Sequence, residues 1–290
     1  MALRPWILAA RPKTLPAALA PVLLGSALAH ADGAFAALPA ALALGFALLI
    51  QIGTNYANDY FDYVKGADSA ERQGPPRAVA SGMIRPRKML AGTMVCFAIA
   101  FAEGLLLLPY GGWPLVAVGL ASVLMGLAYT GGPSPLAYNG TADIFVLIFF
   151  GVVAVTMTYY VQAGSFTLDA FLLSLAPGAL ATNILVVNNY RDIDSDRAAS
   201  KRTLIVRFGR GFGSAEYLLM LAVAQAVPLL LLYMGRGAAI LLPIASLPAG
   251  LRMYALMRRA ATRAEFDKAL GGTALYMLGY SLLLALGLVL

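Results

Sequence analysis

Long apolar segments alternate with short polar loops along the chain. Each apolar segment has roughly the length that a helix needs to cross the hydrocarbon core of a bilayer, about 20 residues. Nine of them can be distinguished, near residues 15–30, 36–56, 89–108, 114–130, 143–162, 168–187, 215–235, 238–257 and 272–290. The pattern predicts an all-α, polytopic membrane bundle of nine transmembrane helices, which forms a single domain over residues 1–290.

The composition excludes an ordinary soluble domain. Of the 290 residues, 60% are hydrophobic and only 12% are charged, which is typical of a polytopic membrane protein. The single cysteine, Cys96, can form no internal disulfide. The single histidine, His30, argues against a metal site built on histidine side chains.

The net charge of +7 would by itself fit binding to nucleic acid, but its distribution fits membrane topology. The chain has 21 Lys and Arg residues, and across the nine segments all of them except Arg236 fall on the side of the N-terminus. Positively charged loops remain in the cytoplasm. We therefore expect a cytoplasmic N-terminus, an external C-terminus and no nucleic-acid partner.

Two acidic motifs follow the second and the sixth apolar segments, at residues 55–68 and 188–197. They contain six of the 14 acidic residues in the chain. Carboxylates at the edge of a membrane are costly to desolvate, so they tend to persist where they bind cations or substrates. These six residues are Asp59, Asp62, Asp68, Asp192, Asp194 and Asp196.

The spacing of the motifs predicts a metal site. Within each motif an asparagine and two aspartates recur three or four residues apart, which places them on one face of a helix. Their oxygens suit Mg²⁺, which proteins hold with one or two carboxylates and substrate phosphates. We expect Asp59, Asp62, Asp192 and Asp196 to bind metal, and Asn55, Asn58 and Asn188 to bind substrate. Solvated helix caps are the alternative, which two similar clusters with flanking cations disfavour.

Basic residues beside both motifs indicate an anionic ligand. Arginine binds phosphate oxygens in a bidentate manner. The candidates are Lys65, Arg72, Arg77, Arg191, Arg197 and Lys201. Lys65, which adjoins the first motif, is assigned to catalysis. Arg85, Arg87 and Lys88 need no explanation beyond membrane topology.

A third polar stretch, residues 129–140, is predicted to be a loop from its Gly and Pro residues. Tyr129 and Tyr138 in this loop, with Asp143 after it, are candidates for an acceptor pocket. An aromatic belt at the membrane interface with a helix-capping Asp143 is an equally good reading.

Over essentially its whole length the chain resembles the UbiA superfamily of intramembrane aromatic prenyltransferases. The likeness is carried by residues 10–15, 58–68 and 188–197. Ubiquinone-type members usually place the third acid of the first motif where Gly66 stands here. In this chain the acid is Asp68, as in the menaquinone branch.

The resemblance implies a UbiA-like fold in the bacterial inner membrane and a Mg²⁺-dependent prenyltransferase. Such an enzyme transfers a polyprenyl group from an allylic polyprenyl diphosphate to 1,4-dihydroxy-2-naphthoate. The acceptor loses CO₂, and the products are demethylmenaquinone and diphosphate. Asp68 and Asp194 are the candidates for deprotonating the acceptor.

Two other functions are weighed against this one. A sister prenyltransferase would act on another aromatic acceptor, such as 4-hydroxybenzoate, homogentisate or a haem precursor, through the same site. An ion-coupled transporter would also place aspartates in membrane helices. The transporter is disfavoured because the acids cluster at the membrane edge and no broken spans are evident. Membrane lipid surrounds the protein in every case, and donor chain length and oligomeric state are not fixed by the sequence.

Overall fold

The computed structural model describes residues 3–67 and 76–290, and the regular secondary structure of these residues is helical. Asp68 and Arg72 lie outside the described residues. Single helical turns cover Pro12–Thr14, Leu108–Gly111 and Leu136–Asn139. The longer helices are α1 (Arg4–Ala10), α2 (Pro16–Ala31), α3 (Ala37–Val64), α4 (Pro86–Leu105), α5 (Pro114–Ala128), α6 (Ala142–Ala163), α7 (Leu168–Arg191), α8 (Ile193–Ala198), α9 (Leu204–Tyr233), α10 (Ala238–Arg259) and α11 (Arg263–Val289).

The all-α membrane class is confirmed, but among the described residues fewer helices than the nine predicted are long and apolar enough to span a membrane on their own. In the described part of the chain, seven helices are long and apolar enough to cross a membrane. An eighth span results if Arg4–Thr14 and Pro16–Ala31, bent by 54°, are counted together. The predicted fourth span, α5, has only 15 residues. At 1.5 Å per residue it reaches about 22 Å, short of the roughly 30 Å hydrocarbon core. It nevertheless returns the chain to the end with the acidic motifs, because Lys65 contacts the Thr130 carbonyl oxygen just after it.

Helix α7 forms the centre of the bundle and packs against α6, α9 and α11. A pair of glycines permits its close crossing with α6. A Cβ atom on Gly178 would lie 2.7 Å from the Leu147 carbonyl oxygen, and one on Gly151 would lie 2.6 Å from that of Ser174. Small residues allow membrane helices to approach closely. The crossing therefore fixes α7, whose last turn begins the second acidic motif.

The two acidic motifs differ in backbone structure. Helix α3 continues without a break to Val64, so the first motif occupies its last turns, as predicted. Helix α7, in contrast, ends at Arg191, and Asp192 joins it to the short helix α8. The Asp196 amide donates to the Asp192 carbonyl oxygen at 2.7 Å. The two aspartates therefore remain one turn apart despite the break.

The N-terminal segment docks against α3 beside the first motif. The Asn55 side-chain amide donates to the Ala10 carbonyl oxygen at 3.0 Å, and the Tyr56 hydroxyl donates to that of Trp6 at 3.2 Å. Between α1 and α2, Arg11 has φ 51° and ψ 68°, in the left-handed region. A residue other than glycine is uncommon in this conformation and is often explained by local function or strain.

At the end of the bundle opposite the motifs, one arginine, Arg236, connects the ends of several helices. Arg236 Nε lies 2.6 Å from Asp169 Oδ2, and Arg236 Nη1 lies 2.8 Å from Asp32 Oδ1. The Tyr159 hydroxyl donates to Asp32 Oδ2 at 2.8 Å. These bonds connect the ends of α2, α6, α7 and α9. Arg236 was the one Lys or Arg residue that the sequence analysis placed on the side opposite the N-terminus. The structure pairs it with two carboxylates.

Candidate active site

Both acidic motifs line one cavity of about 470 Å³, which continues from them into the apolar interior of the bundle. Residues more than a hundred positions apart therefore meet in one site. We call Asp59, Asp62, Asp192 and Asp196 the acidic site. The polar lining of the cavity includes Arg11, Asn55, Asn58, Asp59, Asp62, Arg77, Tyr129, Asn188, Arg191, Asp192, Asp196, Lys201 and Asp267.

The two carboxylates of the first motif have different partners. Asp59 is 2% exposed and accepts the backbone N–H groups of Ala78 and Val79, each at 3.0 Å. These bonds hold the segment after the motif against α3. The same segment supplies Arg77, whose Nη2 lies 3.1 Å from Asp62 Oδ2. By holding this segment, Asp59 also positions the Arg77 guanidinium beside Asp62.

In the second motif, Arg191 holds Asp192 through a bidentate pair. Its Nε lies 2.8 Å from Asp192 Oδ1, and its Nη2 lies 2.7 Å from Asp192 Oδ2. The same Nη2 donates to Asn188 Oδ1 at 2.7 Å. Asp267 on α11 lies 3.6 Å from Arg191 Nη1. Arg191 is 4% exposed, so the guanidinium acts as a buried connector and not as a surface charge.

Lys201 joins the two motifs. Its Nζ lies 3.2 Å from Asp62 Oδ1 in the first motif and 3.9 Å from Asp196 Oδ1 in the second. The Lys201 backbone N–H donates to the Asp196 carbonyl oxygen at 2.8 Å, which fixes the start of the side chain. A compact ammonium with three donors suits a position between carboxylates from different helices.

Residues 129–141 form a loop, which we call the mouth loop, over the acidic site. The Tyr138 hydroxyl donates to Asp62 Oδ1 at 2.9 Å. Its ring contacts two ammonium groups, those of Lys65 and Lys201, each 4.8 Å from the ring centroid. Such cation–π contacts are favourable within about 6 Å. Tyr138 therefore touches the motifs directly, although it does not line the cavity.

Glycine allows the mouth loop to lie against the segment after the second motif. Gly140 has φ +81°, and a Cβ atom there would lie 2.9 Å from the Arg202 carbonyl oxygen. The Arg202 backbone N–H donates to the Tyr138 carbonyl oxygen at 2.8 Å. A side chain at position 140 would be strained by the positive φ and would also crowd the Arg202 carbonyl oxygen. The loop is thus anchored one residue from Lys201.

Lys65 lies beside the cavity and supports the mouth loop. Its Nζ donates to the Thr130 carbonyl oxygen at 2.7 Å and to that of Gly132 at 3.4 Å. Burial lowers the pKa of Lys65, and the charge of Lys201 lowers it further, while Asp62 opposes the shift. Burial raises the pKa of Tyr129, and the charge of Asp143 adds to this. Tyr129 is therefore a neutral hydroxyl in the cavity wall.

The structure does not bring every predicted residue to the cavity. The side chains of Asp194 and Arg197 are 79% and 59% exposed and pair with each other at 3.4 Å. They lie on the face of α8 that turns away from the cavity. Asn58, in contrast, is buried and accepts the Thr130 hydroxyl at 2.8 Å. Asp192 and Asp196 are one helical turn apart and both line the cavity, so Asp194, halfway between them, points to the opposite side.

Three charged residues line the cavity without having been assigned to the site from the sequence, namely Arg11, Lys13 and Asp267. Arg11 stands in the 10–15 stretch, but only its left-handed backbone and its place in the cavity wall indicate a role. Asp267 is separated from both motifs along the chain and reaches Arg191 from the N-terminal part of α11. No local spacing links it to either motif, so the sequence carried no signal for it.

The donor set fits the Mg²⁺ that the sequence predicts. In residues 3–67 and 76–290 no three acidic, His or Cys side chains are close enough together to hold an ion by themselves. Mg²⁺, however, is usually held by one or two carboxylates together with substrate phosphates and water. The acidic site offers such oxygens from both motifs. The Lys201 ammonium between Asp62 and Asp196 shows that this position accepts a cation.

A bundle of apolar helices around a cavity with two acidic motifs at its mouth matches one family. Residues 18–278 match the model of the UbiA prenyltransferase family, and the chain belongs to it. It is therefore an integral membrane protein with the predicted UbiA-like fold.

Similar proteins agree with this assignment. The chain is 38% identical over 280 residues to the 1,4-dihydroxy-2-naphthoate octaprenyltransferase of Mycobacterium tuberculosis, covering 97% of this chain and 95% of the relative. It is 40% identical over 210 residues to the Escherichia coli protein of the same name, covering 70% and 68%. A UbiA homologue from Archaeoglobus fulgidus, solved with DMAPP and Mg²⁺, has a TM-score of 0.67 at 14% identity, covering 96% and 98%.

Proposed function

We propose that the protein transfers a polyprenyl group from an allylic polyprenyl diphosphate to 1,4-dihydroxy-2-naphthoate. The observation that carries the proposal is the meeting of both acidic motifs at the mouth of one apolar cavity. A site for diphosphate beside a site for an isoprenoid chain is what such a donor requires. The names of the relatives from Mycobacterium tuberculosis and Escherichia coli support the naphthoate acceptor over 4-hydroxybenzoate or homogentisate.

The polar mouth binds the diphosphate. Arg77, Arg191 and Lys201 line it with positive charge, and guanidinium groups recognise phosphate oxygens in a bidentate manner. Mg²⁺ bound by Asp59, Asp62, Asp192 and Asp196 would supply further stabilisation of the negative charge on the leaving group. Arg11 adds a cation on the N-terminal side of the cavity. These charges, fixed before the reaction, favour departure of the diphosphate.

The apolar interior receives the prenyl chain. Asp62 and Ala43 both line the cavity and lie on the same helix, so the cavity follows α3 for roughly 28 Å at 1.5 Å per residue. Phe46, Phe101 and Phe149 belong to its wall. Water is excluded from such surroundings, which protects an allylic carbocation from hydrolysis.

Bond changes at the acceptor complete the reaction. The bond between the allylic carbon and the diphosphate oxygen breaks, and a bond from that carbon to the naphthoate ring forms. The ionised carboxylate leaves the ring as CO₂, and the electron pair of the broken bond restores the aromatic ring, so the reaction at the ring consumes no net proton. A proton that a ring hydroxyl gives up during the attack returns to it afterwards. Asp68 remains our candidate for handling that proton. Asp194 is not favoured, because its side chain faces away from the cavity.

We further propose that the acidic end faces the cytoplasm of a bacterial inner membrane. The Lys and Arg residues on the motif side of the spans support this orientation. Reporter fusions check it: a C-terminal fusion that is active only outside the cytoplasm agrees, and one that is active inside contradicts it.

The activity is tested with purified protein in detergent or nanodiscs. It receives Mg²⁺, a series of polyprenyl diphosphates and, separately, 1,4-dihydroxy-2-naphthoate, 4-hydroxybenzoate or homogentisate. We expect prenylated product and CO₂ only with the naphthoate. Product with 4-hydroxybenzoate or homogentisate alone would overturn the proposed acceptor, and no product with any acceptor would overturn the proposed activity.

A further inference from the structure

Lys201 differs from a cation that serves a single motif, because its ammonium contacts both motifs at once. The ammonium lies within 4 Å of Asp62 and of Asp196, which come from different helices. Arg77 pairs with Asp62 of the first motif, and Arg191 pairs with Asp192 of the second motif and with Asp267 on α11. Lys201 occupies the position at which a cation shared by the two motifs would stand.

The same ammonium also has a favourable contact that does not depend on the carboxylates. The Tyr138 ring centroid lies 4.8 Å from Lys201 Nζ. The backbone on both sides is fixed, since the Arg202 amide bonds to the Tyr138 carbonyl oxygen and the Lys201 amide bonds to that of Asp196. A lysine side chain has four flexible carbons beyond this fixed backbone. The ammonium can therefore move within the mouth while the loops stay in place.

The position of the Lys201 ammonium between Asp62 and Asp196 has an electrostatic consequence. Asp62 and Asp196 are both 8% exposed or less, so their negative charges must be balanced by nearby cations. Arg77 contributes at Asp62, and Lys201 lies within 4 Å of both carboxylates. A dication that binds the same oxygens must displace or repel the ammonium. We propose that Lys201 is the resident counter-ion of the acidic site: it neutralises Asp62 and Asp196 while no divalent cation is bound, and it moves off them when one binds.

This inference rests on the proposed function only in requiring that a divalent cation binds the acidic site. It differs from a role in binding diphosphate alone. A lysine that serves only the diphosphate leaves metal affinity unchanged in the absence of donor. A resident counter-ion competes with the metal whether donor is present or not. The two roles are therefore separable without measuring activity.

The experiment measures Mn²⁺ binding to purified protein by electron paramagnetic resonance, without any donor. The variants are Lys201→Met, which removes the charge at similar length, and Lys201→Gln, which keeps a polar group in case Lys201→Met folds poorly. Lys201→Arg retains the charge. Lys88→Met is the matched control, because Lys88 is an exposed lysine at the start of α4. Thermal unfolding of each variant is recorded with and without metal.

We expect Lys201→Met and Lys201→Gln to bind Mn²⁺ at least about tenfold more tightly than the wild type, since a unit charge a few ångströms from the ion is removed. Without metal their unfolding temperatures should fall, and metal should restore more of the loss than it does in Lys88→Met. Lys201→Arg and Lys88→Met should bind Mn²⁺ within about threefold of the wild type, as expected for a retained or an exposed charge.

Equal or weaker Mn²⁺ binding in both neutral variants would overturn the counter-ion role and leave the proposed prenyl transfer intact. Binding of Mn²⁺ to the wild type only when polyprenyl diphosphate is added would overturn it as well, since the competition requires a metal site without donor. The absence of Mn²⁺ binding even with donor present would instead refute metal binding at the acidic site, and the proposed chemistry with it.

Discussion

The Tyr138 hydroxyl donates a hydrogen bond to Asp62 Oδ1 at 2.9 Å, across 76 residues of chain. This bond ties the mouth loop to the first acidic motif. Asp62 also meets Arg77 and Lys201, so the carboxylate is oriented from three directions. The tyrosine therefore acts through Asp62, as a positioning residue.

Replacement of Tyr138 by phenylalanine isolates that bond, because the ring and its contacts with the Lys65 and Lys201 ammonium groups are kept. We expect kcat to fall about tenfold, since the orientation of one stabilising carboxylate loosens. The unfolding temperature should drop by only a few degrees, as for the loss of one hydrogen bond of about 1 kcal/mol. Steady-state kinetics and thermal unfolding measure the two effects.

Tyr63→Phe is the control for this variant, because the Tyr63 side chain lies on α3 next to Asp62 but is 44% exposed. It should leave kcat unchanged. An unchanged kcat in Tyr138→Phe would show that the bond to Asp62 is not used in the reaction.

The two motifs should behave as a single catalytic unit. Asp62→Asn and Asp196→Asn each remove a charge from the same mouth, and each should lower kcat by about 100-fold or more, the scale for one lost electrostatic stabiliser. Groups that act together are strongly non-additive. The double variant should therefore be little worse than the poorer single variant. Single-turnover rates on folded, purified protein provide the comparison.

Asp194→Asn serves as the comparison within the same motif. Its side chain is 79% exposed and faces away from the cavity, so we expect turnover within about threefold of the wild type, as for exposed charges generally. Multiplicative losses in the Asp62 and Asp196 double variant would indicate two independent sites. A large loss in Asp194→Asn would return that residue to the list of catalytic groups.

Removal of divalent metal should abolish the activity. Carboxylate oxygens favour Mg²⁺ and Mn²⁺ over softer ions, and the acidic site offers oxygens without any histidine or cysteine among the cavity residues described. A chelator in excess should stop turnover, and Mg²⁺ or Mn²⁺ should restore it. Turnover that continues in the metal-free, chelator-treated protein would contradict the assignment of the four aspartates.

Arg236 should matter for stability and not for chemistry. Arg236→Leu would leave the partly buried carboxylates of Asp32 and Asp169 without their charged partner. We expect a loss of about 2 kcal/mol in the free energy of unfolding, as for hydrogen bonds to charged groups, with kcat of the folded fraction unchanged. Denaturation in detergent and activity per folded molecule test this. Arg252→Leu, at an exposed arginine on α10, is the control. Equal stability of the two variants would show that the pairs of Arg236 with Asp32 and Asp169 do not stabilise the fold.

The sequence by itself determined the class of fold, the family and the position of both motifs. Apolar segments of membrane length must form helices, because the bilayer offers no water to satisfy backbone groups. Asn and Asp at three- and four-residue spacing share a helix face, so the candidate residues within each motif were predictable from local geometry. The end of α5 was predicted to within two residues, so its shortness was visible in the sequence as well.

The tertiary structure decided which charges meet. Asp59 holds the backbone of Ala78 and Val79, Lys201 reaches across to Asp62, and Asp267 joins Arg191 from a helix near the C-terminus. Asp194 and Arg197, close to the motif in sequence, face away from the cavity. Local spacing fixes the face of a helix but not what packs against it. Those contacts depend on the crossing of α6 with α7 and on the path of the mouth loop, which arise from packing between residues distant in the chain.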